Sequence, residues 1–258
     1  HRGEAGLVTR LEAFLDEIDE HETAMRATSS KPRRRKPKKP PLAPSGRVFI
    51  PHISDHAFAA AAALTSAGWN TTVLPMPDEA VVRQGEEEST GGECHPWVVM
   101  TGELLNWATS DEALRGDIFY YPQAQNACLI NQYGSAQRRI LERKGLADRF
   151  FVMSFEGAKL LEVFGGRAAL AMYECMAAVD MLISAACARR PYEVTPGSID
   201  AVHQENITAV CDTVATRGNL AGAFEEALRR LLEVPVEVHP RPLVGVCGDF
   251  YTRVNEHG

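Results

Sequence analysis

Arg47-Val48-Phe49-Ile50-Pro51, followed by Asp55 and an alanine-rich run that stops at Gly68, is the stretch that decides the fold of this 258-residue chain. Three apolar, β-favouring residues after Arg47, closed by a proline, read as a short strand. Asp55 is a good N-cap for the helix that follows, and Gly68 is a helix stop. Asn70 to Leu74 reads as a second strand and Asp117 to Tyr121 as a third. A helix from about Asn131 to Lys144 separates the third from a fourth strand, Arg149 to Phe155. Apolar strands alternating with helices build a parallel sheet covered on both faces. The connection from Pro75 to Gly116 is long and carries a helix starting near Pro96.

Further along, the chain becomes helical from Gly157 to Val234. Gly166 to Ala188 is apolar nearly all round, the pattern of a buried helix, whereas Ser198–Thr216 and Leu220–Glu233 are amphipathic. Leu243 to Cys247 reads as one more strand, with Gly258 following soon after. The expected class is α/β: a Rossmann-like or flavodoxin-like parallel sheet over 47–156, a helical connector over 157–240, and over 241–258 the first strand of a second, truncated α/β unit. The chain begins at His1 without an initiator Met, so an excised piece of something longer is expected.

On the N-terminal side, residues 1–30 hold an amphipathic helix with Leu7, Leu11, Phe14, Leu15 and Ile18 on one face. Residues 31–46 form a basic, proline-rich linker, because prolines at that density forbid helix. The net charge of −7 conceals this segregation: seven basic residues lie between Lys31 and Lys39, leaving 20 basic against 34 acidic elsewhere. An acidic body is a poor nucleic-acid binder, and the basic run is either a solvated linker or a contact for an acidic surface. No signal-peptide pattern is present, and no run approaches eighteen uninterrupted apolar residues, so no membrane partner is expected. Six cysteines in such a chain point to the cytoplasm, where thiols are buried, catalytic or metal-bound.

Phosphate-loop, dinucleotide, zinc-protease and serine-hydrolase motifs are all missing. Position sorts the cysteines instead. Cys94 stands at the mouth of the Pro96 helix, and Cys128 lies in the loop leaving the third strand. Both fall where open parallel sheets bind ligands and where helix N–H groups favour thiolate. A cysteine-ligated iron–sulfur cluster is a net anion that such a place would stabilise. Cys175, Cys187 and Cys211 sit on apolar helical stripes and read as core packing. Cys247 ends an apolar strand and suits either role. Glu93 and His95, flanking Cys94, are candidate acid or base groups; His52 and His56 flank the first strand-to-helix turn. Taken singly, each of these is also an ordinary loop or capping residue.

Arg47 to Asp55 (RVFIPHISD), Val73 to Asp78 (VLPMPD), Ser89 to Pro96 (STGGECHP) with Thr101-Gly102-Glu103, and Phe119 to Tyr133 (FYYPQAQNACLINQY) resemble one family. It is the 2-hydroxyacyl-CoA dehydratase and benzoyl-CoA reductase group, in particular the dehydratase-like region of large CoA-substrate activase fusions. The resemblance implies a cluster of the 4Fe–4S or double-cubane type, fed with low-potential electrons by an ATP-driven activase and acting on an acyl-CoA. Cys94 and Cys128 match ligand positions, and Gln132 and Tyr133 match the polar pair after the second cysteine. Trp97 stands where relatives often carry a further cysteine, which favours the single cubane. Two other readings stay open: an electron-relay or scaffold domain within a homo- or hetero-oligomer, and a metal-free α/β binding domain.

Overall fold

The computed structural model describes residue 15 and residues 46–123, 128–155, 157–242, 245, 247–248 and 250–255. The chain divides into two compact units, His1–Lys39 and Pro40–Gly258. Leu15 is helical and exposed; the rest of the expected N-terminal helix and the linker to residue 45 lie outside the described residues. All that follows concerns the second unit.

Four strands, β1 (Arg47–Ile50), β2 (Asn70–Val73), β3 (Ile118–Pro122) and β4 (Phe151–Phe155), form one parallel sheet in the order β2-β1-β3-β4. Registers run Arg47 beside Asn70, Val48 beside Ile118, and Ile118 beside Phe151. The expected α/β class is therefore found, with the strand order of a flavodoxin-like sheet. That order reverses direction between β1 and β3, and their carboxyl ends are the natural ligand edge.

Alternation along the strands splits the side chains between two layers. Phe49, Phe119, Tyr121 and Val152 face α3 (His95–Thr109) and α4 (Ile130–Arg143). Val48, Ile50, Ile118, Tyr120 and Met153 face α1 (His56–Ser66) and the start of α6 (Gly166–Arg189). Across the first layer, the Tyr121 hydroxyl donates to Gln137 Oε1 at 3.0 Å, a buried bond tying β3 to α4. At the amino edge, Arg47 holds the buried Asp117 carboxylate through two bonds of 3.0 and 2.7 Å.

α5 (Gly157–Phe164) opens the stretch read as helical, whereas α2 (Glu79–Glu86) escapes the sequence reading; it is capped by Asp78, whose carboxylate accepts from the amides of Ala80 and Val81. α2 packs on α3 where Gly85 and Gly102 meet. A Cβ on Gly85 would drive into the Val98 carbonyl, and one on Gly102 into that of Val81, so both positions require glycine for closeness.

The buried helix is also not where periodicity put it. α3 is buried over every residue from Trp97 to Leu105, because the sheet, α2 and α4 surround it. α6 instead exposes Leu170, Tyr173 and Met181 while burying Cys175, Val179 and Leu182 against α1, α7 (Ser198–Ala215) and α8 (Leu220–Glu233). With the turn after it, Gly166–Tyr192 is long and apolar enough to cross a membrane by length and composition, at mean hydropathy 1.5, with one third of the span buried. The absence of an uninterrupted apolar run of eighteen residues stands beside this: a few charges interrupt the helix while its mean stays high.

Two further expectations change. Asp55 starts α1 without capping it; its carboxylate instead accepts from His203 Nε2 of α7 at 2.7 Å, across 148 residues. Both are largely buried, and the His203 bond and charge hold Asp55 below the ordinary carboxylate range against the opposing effect of burial. At the C-terminus, Gly245 and Cys247 lie in irregular backbone rather than in a strand; residues 243, 244 and 246 are outside the described residues. The chain then forms a short helix, α9 (Phe250–Val254), whose Tyr251 joins the α3 core layer.

Candidate functional site

Cys94 is the residue before α3, with extended backbone (φ −77°, ψ 153°) and Pro96 in the first turn behind it. Its sulfur does not cap the helix. It lies 2.6 Å from the hydroxyl of Tyr133, in the first turn of α4. Burial, then the bond to Cys94, raise the Tyr133 hydroxyl, and Cys128 is near enough to raise it further. Tyr133 therefore keeps its proton at neutral pH and can donate it to the Cys94 sulfur. Cys94 is half-buried and Cys128, two residues before α4, is exposed. One predicted ligand, Cys94, thus contacts Tyr133, and the other, Cys128, lies near enough for its charge to act on the same hydroxyl. Gln132, the expected partner of Tyr133 in a pocket, points to solvent.

His95 is exposed at the start of α3, its ring edge-on to Tyr251 at 5.8 Å. Glu93 is bonded within its own loop. Its carboxylate accepts from Ser89 Oγ at 2.7 Å, the Thr90 amide at 2.9 Å and Thr90 Oγ1 at 3.0 Å. These bonds, the Ser89 hydroxyl first, hold it at about 2. Held ionised, Glu93 ties the loop from Ser89 to Cys94 together and suits the base half of its expected role better than the acid half.

The acid of this edge is a residue that sequence reasoning quoted but did not single out. Glu103, on α3, is 3% exposed. Oε1 accepts from the His52 amide at 2.9 Å, while Oε2 is buried with no partner. Burial pushes its carboxyl up to about 8. The signal was available: one carboxylate in an apolar run, Val98-Val99-Met100-Thr101-Gly102-Glu103-Leu104-Leu105. His56 leans on Ser54 Oγ at 3.0 Å and stands 3.6 Å from Asp180.

Of the core cysteines, Cys175 and Cys211 are buried and share a hydrogen bond that, with burial, raises Cys211. Cys187 is exposed beside Arg190, 3.6 Å away, contrary to the packing expected of it. Cys247 is exposed, four residues before Tyr251. A cubane takes up to four thiolates. Two converge here with a hydroxyl donor, and among the described residues no three His, Cys, Asp or Glu side chains group to hold a metal ion. The corner therefore fits part of a cluster's ligand set. Two surface clefts, about 290 and 310 Å³, include none of these residues; the first is lined by Ser66, Arg167, Glu174 and Arg217, the second by α2. No family profile, curated protein or solved structure matches the chain.

Proposed function

We propose that this chain is an iron–sulfur module of the dehydratase type, cytoplasmic, which takes low-potential electrons from an ATP-dependent activase and works on an acyl-CoA thioester. The observation that carries it is the contact of Cys94 with the Tyr133 hydroxyl, with Cys128 near enough to act on the same group. When bound, the cluster would supply a one-electron reductant. Cys94 and Cys128 are the residues that would hold it, with further thiolates from Cys247 or another chain. With a cluster bound, Tyr133 would donate to the Cys94 sulfur, favouring its thiolate and orienting it. The Glu93 clamp fixes the loop from Ser89 to Cys94, and His95 offers the one exposed imidazole at the mouth of α3. The chain's resemblance to the dehydratase group supplies the substrate class.

A second reading, a metal-free α/β binding domain, draws on the missing third ligand among the described residues. A third, an electron relay or scaffold, draws on Trp97, which stands where a further cysteine would be expected. One experiment separates all three. The anaerobically reconstituted chain is mixed with an activase, ATP and a 2-hydroxyacyl-CoA. Formation of the enoyl-CoA is the expected outcome. Cluster reduction without turnover leaves the relay, and a chain that takes up no iron leaves the binding domain.

A further inference from the structure

The last described segment crosses the site edge. Asn255 Nδ2 donates to the His52 and Ile53 carbonyls at 2.8 and 2.9 Å, fastening the end of α9 to the loop after β1. At its other end Tyr251 is buried against the α3 layer and meets the His95 ring edge-on. Beneath it lie two buried oxygens without partners, Glu103 Oε2 and the Tyr251 hydroxyl, close enough for the Glu103 charge to act on Tyr251. A neutral carboxyl tolerates that place; a carboxylate there has one amide partner and no counter-charge.

We propose that α9 is a proton-governed cap on the Cys94–His95 corner: it stays closed over a neutral Glu103 and lifts when Glu103 ionises. Lifting gives the carboxylate water and uncovers the His95 side of the corner. Glu103 responds only to burial, which raises it to about 8, and to the His52 amide, which opposes that rise. The ionisable groups on the elements around it are Tyr251 and Arg253 of α9, His52 and Asp55 of the β1 loop, His95 of α3, Glu79, Arg83 and Glu86 of α2, and Tyr133, Arg138, Arg139, Glu142 and Arg143 of α4. Tyr133 is turned to Cys94 and Arg138 to the Val152 carbonyl, and none of the set supplies Glu103 with a counter-charge.

The linkage has a definite sign. Glu103 titrates near 8 under the closed cap and near the ordinary 4.5 once released. Opening therefore becomes about tenfold easier per pH unit from about 5 to about 8, then levels off, because above 8 both states are ionised. Hydrogen exchange of the 250–255 peptide, corrected for intrinsic rates, reads this directly, since the Asn255 amide is bonded to the Tyr251 carbonyl. The wild type should lose protection about tenfold per pH unit up to pH 8 and no further. Glu103→Gln, which keeps the shape without the charge, should hold its protection throughout. Protection independent of pH in the wild type, or an unchanged slope in Glu103→Gln, overturns the cap. Should Glu103→Gln not fold, carbon-13 carboxyl titration of the wild type decides: a midpoint near 8 supports the cap and one near 4.5 removes it.

Discussion

Two glutamates ten residues apart show how environment rather than residue type assigns chemistry. Glu93 follows two glycines in an exposed loop, where three short bonds from Ser89 and Thr90 favour its charge. Glu103 lies inside a helix that is covered on all sides, where nothing but one amide compensates a charge. Sequence adjacency to Cys94 drew attention to Glu93, because spacing along the chain is visible there and burial is not. Glu103 was legible only as an anomaly in an apolar run, and its neighbours His52 and Tyr251 lie 51 and 148 positions away in sequence. The consequence for stability follows from the direction of its shift. A carboxyl raised from 4.5 to about 8 on folding contributes stability that is whole below pH 4.5 and lost as pH rises to 8. That slope, up to ~1.4 kcal/mol per pH unit, should appear in urea unfolding of the wild type and vanish in Glu103→Gln. Parallel pH profiles for the two proteins would show that Glu103 is not buried as described.

At the scale of elements, the strands and most helices were readable because burial imposes a period that composition carries. β3 and β4 begin one or two residues later than their apolar runs suggested, since Asp117 and Arg149 spend their backbone and side chains on turns and on Arg47. α2 was missed because its run, Glu79-Ala80-Val81-Val82-Arg83-Gln84-Gly85-Glu86, ends in a glycine-containing turn that mimics a loop. That glycine is there for contact with α3. Gly102→Ala should cost about 1–3 kcal/mol in chemical denaturation, because the intruding methyl meets a backbone carbonyl that cannot rotate away. Gly92→Ala, which has open space around it, should be close to neutral. Equal stability for the two variants would contradict the close α2–α3 crossing.

For the molecule as a whole, the parallel sheet and its two-sided cover followed from alternating strands and helices, whereas the strand order and the long-range polar ties did not. The Asp55–His203 bond joins the first strand-to-helix turn to the helical layer, and the Asn255 bonds return the C-terminus to the same turn. Such pairings depend on three-dimensional proximity between polar residues that have no periodic signature. For the same reason the site was only partly legible: Cys94 and Cys128 were recognisable from their loops, but Tyr133, named for its motif, acquired its role only when α4 placed its hydroxyl on Cys94. The apolar stripe of α6 gave the opposite error, since hydropathy reports composition and not cover. The central claim is that the Cys94–Cys128 corner holds an iron–sulfur cluster. Its most direct test is iron and acid-labile sulfide per chain after anaerobic reconstitution of the wild type, Cys94→Ser, Cys128→Ser and the exposed control Cys187→Ser. Equal iron and sulfide in the wild type and in Cys187→Ser, with at least half lost in each of the other two, is the predicted result; a wild type free of iron, or the same content in all four, would contradict it.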